Sequence, residues 1–200
     1  GIGGNLTWTG SGGNLDGVYV DTVGQITWYD TDFSASDAGS LASTSAVGGA
    51  ISVEVGKWIE VAKGFAIVPQ TQLAYVATSA GGFTDRDGTL VDGSSASGFV
   101  GRTGIRAEHS RFLGSGPDDA MRLDAYLLAN LAYAFGGSYA VSVGGTALDQ
   151  DAAPLLGELG LGATLQMTAA AALYGDASYA AAFSGGASYW SGNLGLKLDW

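Results

Sequence analysis

At 200 residues and 46% hydrophobic content the chain can build one domain with a sizeable core, and is too apolar to be disordered. A net charge of −11 argues against a basic nucleic-acid surface, and the absence of cysteine removes disulfides and thiolate metal sites. Thirty-four glycines without a three-residue period exclude collagen, and no uncharged apolar run of about 18 residues offers a transmembrane helix.

Side chains on a strand alternate between two faces, and the chain opens in that pattern. Ile2, Gly4, Leu6 and Trp8 alternate with Gly3, Asn5, Thr7 and Thr9. No signal peptide precedes this run, so the chain reads as a processed product or a cut piece of a longer one. Residues 10–16 form a turn. Val18, Val20, Ile26 and Trp28 then alternate with Tyr19, Asp21, Gln25 and Thr27, and the Ser/Ala/Gly/Asp stretch 30–46 reads as a long loop. Ile51, Val53 and Val55 oppose Ser52 and Glu54 and lead to Trp58 near a strand end. Gly64 opens the next strand, where Gln70 and Gln72 face away from Thr71, Leu73 and Tyr75.

A second polar loop, 83–97, carries Asp85, Asp87 and Asp92. The strand 99–108 sets Arg102, Gly104 and Arg106 against Gly101, Thr103 and Ile105, and 113–120 is a turn or loop. Over 123–135, Asp124, Tyr126 and Asn130 oppose Ala125, Leu127, Leu131, Tyr133 and Phe135; 139–143 is a short strand candidate. The cleanest alternation is 157–167, with Glu158, Gly160, Gly162, Thr164 and Gln166 opposite Leu159, Leu161, Ala163, Leu165 and Met167. Strands at 173–183 and at the C-terminus complete the series. In the last, Leu194, Leu196, Leu198 and Trp200 share one face, while Asn193, Gly195, Lys197 and Asp199 share the other. The result is nine strands plus the short candidate, as in an up-and-down antiparallel sheet.

The two faces decide between solvents. A soluble barrel turns its apolar face inward and covers its outside with Lys and Glu. Here only 14% of residues are charged, and the polar face is built of Gly, Gln, Thr, Ser and Tyr, which suits an enclosed hydrated lumen. Trp8, Trp28 and Trp200 sit near strand ends, as in the aromatic girdles of a membrane barrel. The pattern therefore favours a transmembrane β-barrel over a soluble β-sandwich. Alternation assigns Glu54, Gln70, Gln72, Arg102, Arg106, Glu158, Asp176 and Lys197 to the lumen. The charged ones are expected to pair across strands as a ladder, or simply to be solvated there.

Several stretches, in order along nearly the whole chain, carry a resemblance. They include Asp16-Gly17-Val18 through Thr27-Trp28-Tyr29-Asp30, Pro69 to Tyr75, Phe83 to Gly88 and Gly101 to Arg106. They continue with Tyr139 to Leu148, Gly157 to Gly162, Leu173 to Tyr179 and Ser191 to Leu196. Together these resemble the C-terminal translocator domain of autotransporters (type V secretion). The resemblance implies a twelve-stranded barrel in the outer membrane of a Gram-negative bacterium, which anchors a passenger and supports its export. It also implies insertion by the barrel-assembly machinery, with Leu194, Gly195, Leu196, Leu198 and Trp200 as the C-terminal assembly signal. With nine or ten strands visible, residues 1–200 read as one translocator domain lacking its first strands and linker helix.

The other chemistry-bearing features have plainer readings. His109, the only histidine, has no second His or Cys for a metal site and is best read as a loop residue. Asp85, Asp87 and Asp92 lack the spacing of an EF-hand. No Gly-x-Ser-x-Gly elbow occurs, and the glycine pairs are not followed by a P-loop Lys-Ser/Thr. The expected protein is a non-enzymatic outer-membrane barrel needing no cofactor or metal. Its expected partners are lipid, the assembly machinery and its own passenger and linker. A general porin or adhesin-type barrel is the alternative, and a soluble β-sandwich binding module a more distant one.

Overall fold

Alternating sequence makes strands, and every regular element among the described residues of the computed structural model is one. It describes residues 1–12, 16–35, 39–85, 87–113, 121–143, 146–148, 155–168, 170–184 and 186–198, with backbone alone at 33–35, 39–41, 136–143 and 146–148. Trp200, Arg86, Gly144, Gly145, Gly185 and the connection 114–120 lie outside these residues, as do parts of the turn at 10–16 and the loop at 30–46.

In chain order the strands are β1 (Ile2–Thr9), β2 (Val18–Ala35), β3 (Gly39–Lys57), β4 (Ile59–Ala62), β5 (Phe65–Ala80), β6 (Phe83–Thr84) and β7 (Leu90–Val91). They continue as β8 (Ser94–Phe112), β9 (Arg122–Val143), β10 (Thr146–Leu148), β11 (Leu155–Thr168), β12 (Ala171–Ala182) and β13 (Ser188–Leu198). The nine long strands pair antiparallel in the order β1-β2-β3-β5-β8-β9-β11-β12-β13. Apart from the short β4, β6, β7 and β10, the path therefore follows the chain, as a meander does. The sheet is curled into a half-barrel, and among the described residues β1 and β13 each pair on one side only.

Register assembles the local alternation into two continuous faces. One row runs Tyr19, Gly56, Gln70, Gly104, Asn130, Glu158, Ala180 across seven strands. Its neighbour runs Asp21, Glu54, Gln72, Arg102, Ala132, Leu156. These residues, polar or small apart from Leu156, form the concave face. The convex face is apolar and exposed: Leu6, Ile51, Leu73, Ile105, Leu127, Leu159 and Leu194 all lie on it, Leu194 at 81% exposure. Leaving that much apolar surface in water is unfavourable by about 25 cal/mol per Å², whereas against lipid it costs nothing.

Aromatic side chains collect on the convex face toward the end of the sheet that carries β6 and β7. Tyr75, Phe99 and Phe135 pack in series, the first pair tilted and the second stacked, with ring centroids 4.9 and 5.9 Å apart, and Tyr133 lies 6.3 Å from Phe135. Trp28 and Trp190 are exposed on the same face, Trp190 at 82%.

The strands are longer than sequence pattern predicts. The stretch 30–46 is not a loop: β2 runs to Ala35 and β3 starts at Gly39, with Asp30 opposite Ser45 and Thr31 opposite Thr44. The stretch 83–97 likewise contains the β6–β7 hairpin and the start of β8. The short candidate at 139–143 is the end of β9, paired with β8 at Ser95–Ala140. Polar Ser/Thr/Ala ladders have no apolar period to read. The backbone nevertheless keeps its hydrogen bonds beyond the apolar belt, because antiparallel neighbours hold them in register.

Candidate functional site

The concave face is organised around Arg102 in β8. Its guanidinium reaches Glu54 Oε2 in β3 at 3.3 Å through Nη2, and Glu158 Oε2 in β11 at 3.5 Å through Nη1. Each carboxylate is two strands away, roughly 10 Å at ordinary strand spacing. Only a curled sheet lets one side chain span both. Its neighbours leave the way open: Ala132 fills little space between Arg102 and β11, and Gln72 turns to donate from Nε2 to Ser52 Oγ at 3.2 Å.

The carboxylates are held from outside as well. Tyr19 Oη donates to Glu54 Oε1 at 2.8 Å, and Asn130 Nδ2 donates to Glu158 Oε2 at 2.8 Å. One polar chain thus links β2, β3, β8, β9 and β11. Two acceptors beside it, Gln70 Oε1 and Asn130 Oδ1, are buried and have no hydrogen-bond partner among the described residues. Gln70 and Asn130 flank Gly104 in the register.

A second cluster lies one row nearer the end of the sheet marked by Gly64. Trp58 Nε1 donates to Glu108 Oε2 at 2.7 Å, and Arg106 Nε sits 2.8 Å from Glu108 Oε1. The Arg106 guanidinium carbon is 5.8 Å from the Tyr126 ring centre, within cation–π range. The Tyr19 ring packs on Trp58 with centroids 4.7 Å apart.

Three tyrosines fold over a glycine on the adjacent strand: Tyr19 over Gly56, Tyr126 over Gly162 and Tyr174 over Gly195. Each pair is directly opposite in register. A Cβ at residue 162 would stand 2.5 to 2.7 Å from the outer end of the Tyr126 ring. Gly162→Ala is therefore expected to destabilise the fold by about 1–2 kcal/mol, measured by urea unfolding in detergent. In a Tyr126→Ala background the same change should cost close to nothing; an equal cost in both would show that the ring is not the obstacle.

The concave face gathers some of the lumen candidates and not others. Glu54, Arg102 and Glu158 meet in one network. Arg106 pairs with Glu108 instead, Asp176 accepts from Asn193 Nδ2 at 3.0 Å, and Lys197 lies opposite Ala172. Gln70 and Gln72 stand in the two rows but contact neither carboxylate through a hydrogen bond. Leu194, Leu196 and Leu198 are exposed on the convex face, and Gly195 lies beneath Tyr174 on the other. Trp8, near the end of β1, and Trp28, well inside β2, are exposed on the convex face at different heights of the sheet. Tyr19, Trp58, Glu108 and Asn130 were absent from the sequence-derived set. Alternation puts Tyr19, Glu108 and Asn130 on the polar face, so a signal existed. Trp58, just after β3, shares the parity of Ser52 and Glu54, but its aromatic side chain gives no sign of a polar face.

The sequence pattern of the family described as "Autotransporter beta-domain" matches residues 1–178. Across its full length the chain is 30% identical to the adhesin BmaC autotransporter of Brucella suis biovar 1 (strain 1330), of which it spans 6%. Over 97% of its length it is 25% identical to YdeU of Escherichia coli (strain K12), of which it spans 43%. Among solved structures, the β domain of the Bordetella autotransporter BrkA shares its fold. There the TM-score is 0.65 at 24% identity, covering 99% of this chain and 71% of that one. The matched residues, the curled antiparallel sheet and its apolar convex face together place the chain in the autotransporter β-domain family, the translocator barrels of the Gram-negative outer membrane.

Proposed function

We propose that this β-domain anchors an attached passenger in the outer membrane and supports its export through a hydrated pore, without itself being an enzyme. Family membership implies the attached passenger. The observation that carries the pore is the division of one sheet into a polar concave face and an exposed apolar convex face. On this reading lipid covers the convex face, and the bare edges of β1 and β13 cannot face lipid. The working barrel must join those edges, directly or through further strands. The barrel-assembly machinery would read the C-terminal strand through Leu194, Gly195, Leu196, Leu198 and Trp200.

The test is heat-modifiability: the β-domain, produced as part of the full protein and folded in detergent, is run on a gel with and without boiling. A mobility shift on boiling is expected, because a closed barrel resists detergent until heated. An unshifted band, together with solubility in plain buffer, would overturn the membrane reading.

A further inference from the structure

We propose that the convex wall carries a binding site for an anionic phospholipid. The phosphate would be held by Lys63, His109 and Arg111, and an acyl chain would lie in the small-residue groove beside them. The proposal rests on the outer-membrane reading above.

The charge distribution defines the head of this site. The chain has only eight Lys and Arg. Arg102, Arg106 and Arg122 are ion-paired on the concave side, and Lys197 shares that face. Of the other described cations, Lys57, Lys63 and Arg111 form no ion pair among the described residues. All three lie at one rim of β3, β5 and β8. Lys57 shares the convex face with Val55, and His109 and Arg111 share it with Ile105. Of the acids described at the neighbouring strand ends, Glu54, Glu60, Glu108 and Asp124 belong to concave rows, and Asp16 is exposed in the turn before β2. Asp30 and Asp32, which have convex parity, sit at the opposite rim. In a chain of net charge −11, cations that form no ion pair among the described residues and gather on a lipid-facing rim complement an anionic headgroup.

The backbone holds these side chains together. Gly64 has φ of +72°, and a Cβ there would strike the carbonyl oxygen of Ser110. Ser110 N donates to Gly64 O at 2.7 Å. The tight Lys63-Gly64 turn is thereby pinned to β8, and Lys63, His109 and Arg111, with Ser110 and Phe112 of concave parity, line one open hollow of about 550 Å³ at the rim. Arginine grips phosphate through two N–H groups, lysine adds a point charge and histidine an N–H donor.

His109 also borders an apolar groove of about 510 Å³, with Ala125, Ala163 and Gly175 between Phe65 and Leu161. That groove shares Ala107, Leu127 and Ala177 with a further one of about 660 Å³, which extends past Ile105 and Leu159. From His109 to Ile105 is about 14 Å along β8 at the usual strand rise. That is close to half of a ~30 Å hydrocarbon core, the depth of one leaflet. The 63–64 connection at this rim is tight, whereas the opposite rim carries the longer segment between β5 and β8 with its own hairpin. Short turns mark the periplasmic side of a barrel, where the leaflet is phospholipid.

The experiment is native mass spectrometry of the folded chain in detergent, titrated with phosphatidylglycerol or with phosphatidylcholine of the same acyl chains. The wild type should retain phosphatidylglycerol preferentially. Each cation removed should weaken that binding about fivefold, so Lys63→Gln/Arg111→Gln should lose roughly twenty-fivefold, with phosphatidylcholine, whose choline cation offsets its phosphate charge, losing less. Ala125→Trp, which fills the groove, should reduce both lipids. Equal retention of the two lipids by the wild type, or an undiminished preference in the double variant, overturns the site. The heat shift separates the levels: with the shift present and no lipid preference, only this site falls, whereas with no shift the membrane reading falls and takes the site with it.

Discussion

Reversing the charge at Arg102 (Arg102→Glu) is expected to cost the folded domain about 3 kcal/mol, the lower end of the range for breaking a buried ion pair. The side chains of Glu54 and Glu158 are 16% and 17% exposed and share this one guanidinium at 3.3 and 3.5 Å. A third carboxylate would leave three like charges facing one another across the curl, without the cation that bridges β3 and β11. The measurement is urea unfolding in detergent, following the heat-shifted band, together with surface display of a fused passenger. A triple variant separates charge from size. Arg102→Met combined with Glu54→Gln and Glu158→Gln should regain most of the loss, since an uncharged set of similar volume needs no bridge. If Arg102→Glu left both stability and display unchanged, the network would be no more than solvated lumen charge.

Gly104→Ala is expected to be nearly as damaging, about 3 kcal/mol, although it adds a single methyl group. The new Cβ would collide with the carbonyl oxygen of Ala129 and with the Asn130 side chain, and would stand 2.9 Å from Asn130 Cα. Backbone cannot swing aside as the Tyr126 ring can at Gly162, so β8 and β9 would have to separate where Asn130 supports Glu158. The cost therefore sits at the upper end of overpacking effects. Asn130→Ala should not relieve it, because the Ala129 carbonyl remains; full rescue by that second change would show that the side chain alone was the obstacle. Unfolding midpoints of the two single variants and the double one decide the matter.

Strand content, and the split of each strand into a polar and an apolar side, were legible in the sequence because alternation is a local property. Leu159, Leu161, Ala163 and Leu165 announce their face whatever their neighbours are. The nine-strand meander follows from the same signal. Strand ends were not legible: Thr31 and Thr44, or Ser95 and Ala140, extend the ladders through register alone, and polar stretches carry no period from which that could be read. The meeting of Arg102 with Glu54 and Glu158 depends on register across five strands and on the curl that brings β3 and β11 within reach of β8. Trp58 on the concave side, the tyrosines folded over glycines, and the cationic rim of Lys63, His109 and Arg111 likewise join residues far apart in the chain. Composition and periodicity name the faces and the solvents they meet; the pairing of strands decides which side chains on those faces touch.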